Sequence, residues 1–188
     1  MYKEIFKWMV VIISQPPKAW DMLTKKEEKN DDFLSRFVYP LIGFVTVAAF
    51  LGVIFTRKEF DVEMALKSSI KALVSSFGGF YLAAYFLNEL WKSIFGREKD
   101  MKLWQRFVGY SSSMMFALNI ILSLLPEFFF LRVFILYTFY IIWEGAGPYM
   151  QIEENVRLKF VGITTAIVLI MPFLIELILY LLMPGLRY

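Results

Sequence analysis

The 188-residue chain contains no cysteine and no histidine. Without cysteine there is no disulfide, no thiolate nucleophile, no iron–sulfur cluster and no cysteine-type zinc site. Without histidine the commonest general base and transition-metal ligand are missing, so no histidine triad and no HExxH helix can be built. Neither GxGxxG nor GxxxxGK[ST] occurs, which removes the two common nucleotide fingerprints. The formal net charge of +3 is small and dispersed, which argues against a nucleic-acid partner. No catalytic residue, cofactor or metal site is expected. Ser111, Ser112 and Ser113 have no base beside them in sequence and do not suggest a hydrolase.

What the chain has in excess is apolar surface. Hydrophobic residues make up 59% of it and aromatic residues 19%, against about 45–50% apolar for an ordinary soluble domain. Charge is not scarce, with 20 basic and 17 acidic residues. It is sorted. Residues 1–36 hold 13 of these charges, and the five longest apolar runs (37–55, 72–90, 107–125, 128–143 and 160–183) hold only three: Glu89, Arg132 and Glu176.

Those runs predict membrane spans at about 37–55, 72–91, 107–125, 127–146 and 160–183. Each is long enough to cross about 30 Å of hydrocarbon at about 1.5 Å per residue. Helices are required because lipid offers the backbone no hydrogen-bond partner, and the runs do not alternate as barrel strands would. The expected fold is therefore an all-α polytopic membrane protein. A five-helix bundle (37–188) follows a cytoplasmic or interfacial segment (1–36). In that segment Ile5, Phe6, Trp8, Met9, Val10, Ile12 and Ile13 alternate with Lys3, Glu4 and Lys7, the pattern of an amphipathic helix at the membrane interface. The segment is read as retained, since Gln15-Pro16-Pro17-Lys18 offers no small-residue cleavage site. Alternate loops carry 14 and five basic residues, which places the N-terminus in the cytoplasm and the C-terminus outside. Trp20, Trp91, Trp104, Trp143 and Tyr188 fall near span edges, as an aromatic belt does.

Two ridges of small residues stand at four-residue spacing. Ser75, Gly79 and Ala83 form one, on the second span. Gly109, Ser113 and Ala117 form the other, on the third. They predict close packing of these two spans on each other. The turn at Leu125-Pro126-Glu127 makes the third and fourth spans neighbours. Arg132 and Glu176 lie in the outer half of the bilayer, where an ion is costly unless paired or wetted. They are expected to pair or to reach one polar cavity. A second polar group, Asn88, Glu89, Arg106, Tyr110 and Glu144, collects at the cytoplasmic span ends. It reads either as a vestibule or docking site, or as helix-end charges that neutralise one another.

Four short motifs in a fixed order carry a resemblance. Pro16-x3-Trp20, Tyr39-Pro40-Leu41-Ile42-Gly43, Phe107-Val108-Gly109-Tyr110-Ser111 and Tyr140-x2-Trp143-Glu144-Gly145 together resemble a bacterial member of the Yip family, the Ypt/Rab-interacting proteins. The resemblance spans nearly the whole chain. It implies five spans, a cytoplasmic N-terminus and a C-terminus outside, in agreement with the charge count. Eukaryotic members resemble adaptors for prenylated Rab GTPases. The chain departs from them, with Met114 and Met115 where a proline is expected and Tyr39-Pro40 in place of an Asp-Leu-x-Gly-Pro pattern. A bacterial inner-membrane setting contains no Rab, so the resemblance implies a fold and not that partner.

Two functions fit. One is a non-catalytic organiser or adaptor that binds membrane lipids, another membrane protein or a second copy. The other is a small transporter, channel or lipid-handling protein with a path along Arg132/Glu176 and Glu89/Glu144. A continuous wet path between the two pairs favours transport, and a dry partition favours the organiser.

Overall fold

The computed structural model describes residues 2–26, 30–56, 61–96 and 98–182. Lys29, Arg57, Lys58, Arg97, Arg187 and Tyr188, used in the charge count and aromatic belt above, lie outside the described residues, as does Met183, the expected end of the last span. Every described regular element is helical: α1 (Tyr2–Ser14), α2 (Pro16–Thr24), α3 (Asn30–Phe33), a π segment (Leu34–Val38), α4 (Tyr39–Thr56), α5 (Val62–Phe95), α6 (Met101–Ser111), α7 (Ser113–Leu124), a 3-10 segment (Pro126–Leu136), α8 (Tyr137–Ala146) and α9 (Glu154–Leu182). By length and hydropathy the runs Asn30–Phe55, Val62–Phe95, Pro126–Ala146 and Glu154–Leu182 are membrane spans. The pair α6 and α7 makes a fifth, bent by 44°.

Local chemistry accounts for the breaks. Pro16 opens α2, where its missing N–H costs nothing. The π segment runs up to Pro40, which has no N–H to donate to the carbonyl four residues back and whose ring crowds it. At the bend between α6 and α7, Ser112 Oγ donates to the Val108 carbonyl at 2.8 Å and Ser113 Oγ to the Tyr110 carbonyl at 2.7 Å. Serine hydroxyls that bond back in this way bend helices. Asp61 and Asp100 cap α5 and α6 by accepting from the Met64 and Leu103 amides at 3.0 and 2.9 Å. Gly96 ends α5 at φ 63°, in the left-handed region that glycine enters freely. The 3-10 segment rises about 2 Å per residue, so the fourth span reaches farther than its residue number suggests.

The two small-residue ridges do not face each other, which corrects the expected packing of Ser75, Gly79 and Ala83 against Gly109, Ser113 and Ala117. A Cβ on Gly79 would lie 2.7 Å from Pro172 Cα, so the α5 ridge packs on α9. A Cβ on Gly109 would lie 2.6 Å from Phe33 Cζ and 2.9 Å from Val38 Cγ2, so that part of the other ridge packs on the N-terminal part of the first span. The bend at Ser112 also breaks the second ridge in two. Gly109 stays on α6, while Ser113 and Ala117 fall on α7, the helix that crosses α4 closely where Ser123 meets Gly52. Ser113 is buried at the bend, and Ala117 is only half-buried against the core. Where α5 does meet α6, the contact is made by large rings, with Trp91 and Trp104 edge to face at 5.2 Å. Small residues do not select one another here. A narrow face accepts whatever bulky group reaches it, Pro172 in one case and Phe33 in the other.

The N-terminal helix forms as its amphipathic pattern predicts, but its apolar stripe is spent on protein. Ile5, Met9 and Ile12 are buried. The Ile13 carbonyl accepts from the Tyr137 hydroxyl at 3.0 Å, at the first turn of α8. Thr24, at the other end of α2, donates to the Pro148 carbonyl at 3.3 Å, just past the end of α8. The α1–α2 hairpin thus follows α8 with its Pro16-Pro17 tip beside Tyr137. The two partners, Tyr137 and Pro148, set α2 alongside α8.

Candidate functional site

The bundle has a near end, where α2, α3, α6 and the C-terminus of α8 gather, and a far end, where α4, α7 and α9 finish and α5 begins. At the near end the fully buried Trp20 is central. Its indole N–H donates to the Ile141 carbonyl at 2.8 Å. Phe107 lies 5.0 Å from it, Tyr149 5.1 Å and Tyr110 6.3 Å, centroid to centroid. A Cβ on Gly145 would sit 2.5 Å from the Trp20 ring. Phe33 and Phe37 close on Tyr110 at 4.7 and 4.9 Å. Three of the four motifs read from the sequence therefore meet at one aromatic cluster, through Trp20, Phe107, Tyr110 and Gly145. The fourth begins α4 and supplies buried Leu41 and Ile42. The motifs encode packing, not reactive chemistry.

Glu89 is ion-paired to Lys99 in the loop after α5. Asn88 is buried. Tyr110 belongs to the aromatic cluster and also borders a cavity of about 300 Å³ with Glu4, Trp8, Lys26 and Arg36. Arg106 is set in α6 and Glu144 in α8, half-buried. Beyond them, Arg157 closes α8 by donating to the Trp143 carbonyl at 2.8 Å, with its guanidinium 4.5 Å from the Trp143 ring centre. That cap, unforeseen in the sequence, satisfies a helix-end carbonyl and places a cation on an aromatic face.

The far end holds the other polar site. A cavity of about 190 Å³ lies between α4, α5, α7, the 3-10 segment and α9. Arg132 and Glu176 both line it. The carboxylate, however, is taken by Lys71, whose Nζ lies 2.9 Å from Glu176 Oε1 and donates to the Tyr180 hydroxyl at 3.0 Å. Ser68, Ser75, Ser76, Ser123 and Asn119 add neutral donors and acceptors to the wall. Two cations and one carboxylate leave the site one positive charge in excess. Arg132 is exposed at its rim.

Lys71 is the residue that sequence reading misses, because it falls in the charged stretch before residue 72. The α5 helix instead starts well before that point, at Val62. The clue is a spacing: stepping back by four from Ser75, Gly79 and Ala83 gives Lys71, then Lys67, then Glu63, on one helix face. Lys67 and Glu63 are ion-paired, as that spacing favours. The face that receives Pro172 at Gly79 thus receives Glu176 and Tyr180 one and two turns of α9 farther along.

The two cavities share no lining residue. Between them on the first span lie Val38, Leu41 and Ile42, and on α5 lie Phe80, Ala83, Ala84 and Leu87, all buried. Among the described residues no group of three or more acidic side chains is placed to hold a metal ion.

Comparison with known proteins gives one positive finding. The sequence profile described as the Yip1 domain matches residues 10–183, most of the chain. No curated protein and no solved structure matches.

Proposed function

The chain belongs to the Yip1 domain family, and from that premise we propose that it is a non-catalytic membrane organiser, an adaptor-type protein that works by binding lipid or another membrane protein. The observation that carries this reading is the apolar partition. Buried Val38, Leu41, Ile42, Phe80 and Leu87 separate the far-end cavity from the near-end cavity. A permeation path needs a continuous run of polar groups. The hydroxyls buried at mid-depth, Ser111, Ser112, Ser113, Thr138, Thr164 and Thr165, line neither cavity, and the residues between the cavities on the first span and α5 are rings and aliphatic side chains. The experiment is flux through liposomes containing the purified chain, with ions and labelled lipids as cargo and Arg132→Ala and Glu176→Gln as controls. The expected result is flux indistinguishable from empty liposomes for all three proteins. Wild-type flux above that background, lowered by either substitution, would make the chain a transporter.

The proposed setting is a bacterial inner membrane with the N-terminus in the cytoplasm. The excess of basic residues on the N-terminal side of the alternating loops supports this orientation. The lack of native cysteine makes it directly measurable. A single cysteine at Lys102 should stay unlabelled by an impermeant maleimide in intact cells, and one at Glu127 should label. The reverse pattern would invert the topology.

A further inference from the structure

We propose that the far-end cavity is a binding site for the phosphate of a phospholipid headgroup, with the acyl chains lying along the outer faces of the 3-10 segment and α9. This rests on the organiser reading and gives it a ligand.

Lys71, Arg132 and Glu176 line one cavity, and their sum is one uncompensated positive charge at a depth where net charge is expensive. A phosphodiester carries one negative charge, so its entry neutralises the site. The internal pair is already made, between Lys71 and Glu176. That leaves Arg132, which has no hydrogen bond or ion pair with any described residue, to meet the incoming anion. A guanidinium is the side chain best shaped to hold two oxygens of one phosphate.

The donor set fits the same ligand. Ser68, Ser75, Ser76 and Ser123 present hydroxyls to the cavity, and Asn119 an amide. Such groups bond to non-bridging phosphate oxygens without adding charge. The volume of about 190 Å³ equals the share of about six waters in the liquid, enough for a phosphate with some hydration and too small for a lipid tail.

Depth selects lipid over free anion. Lys71 immediately precedes the apolar run of α5 that begins at residue 72, at the far end of a stretch long enough to cross about 30 Å of hydrocarbon. Its side chain extends toward the far-end surface, as a lysine near a span end does. The site is therefore at the boundary between headgroups and tails. The two helices that supply Arg132 and Glu176 carry exposed apolar side chains on either side of it: Phe129 and Val133 on one, Phe173 and Leu177 on the other. A free anion has no use for those surfaces, whereas acyl chains do.

The test is native mass spectrometry of the full chain in detergent, titrated separately with dioleoyl phosphatidylglycerol, dioleoylglycerol and inorganic phosphate. The phospholipid should bind one to one, and dioleoylglycerol, which has the same tails and no phosphate, should bind at least about tenfold more weakly. Arg132→Gln should lower phospholipid affinity about tenfold, the usual scale for losing one charged hydrogen-bonding partner. Arg132→Lys should recover part of it. Should Arg132→Gln not fold, Ser68→Ala with Ser123→Ala should weaken the same binding a few-fold. Equal binding of dioleoylglycerol, or full affinity in Arg132→Gln, would overturn the site. Inorganic phosphate that binds as tightly and displaces the phospholipid would overturn the lipid assignment and leave a free-anion site. Flux through liposomes with lipid binding intact would sink the organiser reading and spare the headgroup site. Zero flux with no preference for phosphate does the opposite.

Discussion

Replacing Lys71 with methionine should destabilise the folded chain by about 2–3 kcal/mol, and replacing Glu176 with leucine in the same protein should restore most of that loss. Lys71 and Glu176 are 2.9 Å apart, with side chains only 27% and 35% exposed, in a stretch that faces lipid and neighbouring helices. Taking away one ion leaves the other desolvated with its partner gone, which costs several kcal/mol in a fully buried pair and less here because both groups retain some access. Taking away both replaces two costly ions with apolar side chains in an apolar solvent. The Tyr180 hydroxyl then loses the Lys71 donor as well, which keeps the double variant slightly below wild type. Unfolding in lipid–detergent mixtures of wild type, both single variants and the double variant gives the coupling energy. A Lys71→Met protein as stable as wild type would mean that the pair does not form in the membrane.

Gly52→Ala is expected to be more damaging still, at least about 3 kcal/mol, and to lower the yield of folded protein. A Cβ at position 52 would lie 2.0 Å from the Ser123 carbonyl oxygen and 2.8 Å from its carbonyl carbon. Both obstacles are main chain, so no rotamer change relieves the clash, and α4 must move away from α7. Gly43→Ala, on the same α4 helix, is the matched control, because nothing lies within 4 Å of a Cβ built there. It should leave stability unchanged or raise it by up to about 1 kcal/mol through helix propensity. Thermal unfolding of the two variants side by side separates backbone contact from any general cost of removing glycine from α4. Equal melting temperatures would show that the helices have slack at this crossing.

The spans were legible because lipid imposes a strict rule: long uncharged runs must become helices. Arg132 and Glu176 stood out for the same reason, since an ion inside such a run is conspicuous. Lys71 did not, because it sits just beyond the end of an apolar run. A hydropathy boundary marks where side chains become polar and not where the helix stops. The partners of the small-residue ridges were also illegible. Spacing shows that one face is narrow, but whether a proline, a phenylalanine or another narrow face fills it depends on helices far away in the chain. Nor does spacing reveal a bend, and the one at Ser112 parts Gly109 from Ala117. The role of Trp20 lay between these cases. Its place in a motif was visible, while its bond to the Ile141 carbonyl depends on how α2 settles against α8.

That bond has a consequence for how the chain is made. Trp20 and Ile141 are 121 residues apart, and at bacterial or eukaryotic synthesis rates the ribosome needs on the order of ten seconds to cover that distance. During that interval the α1–α2 hairpin has no α8 to follow, and the Trp20 indole has no carbonyl to meet. The hairpin must be held elsewhere, at the membrane surface or by another protein, until the fourth span arrives. The α1–α2 helices, made before α8, thus reach their final seat only after it arrives, and the near end closes once the fourth span is in place.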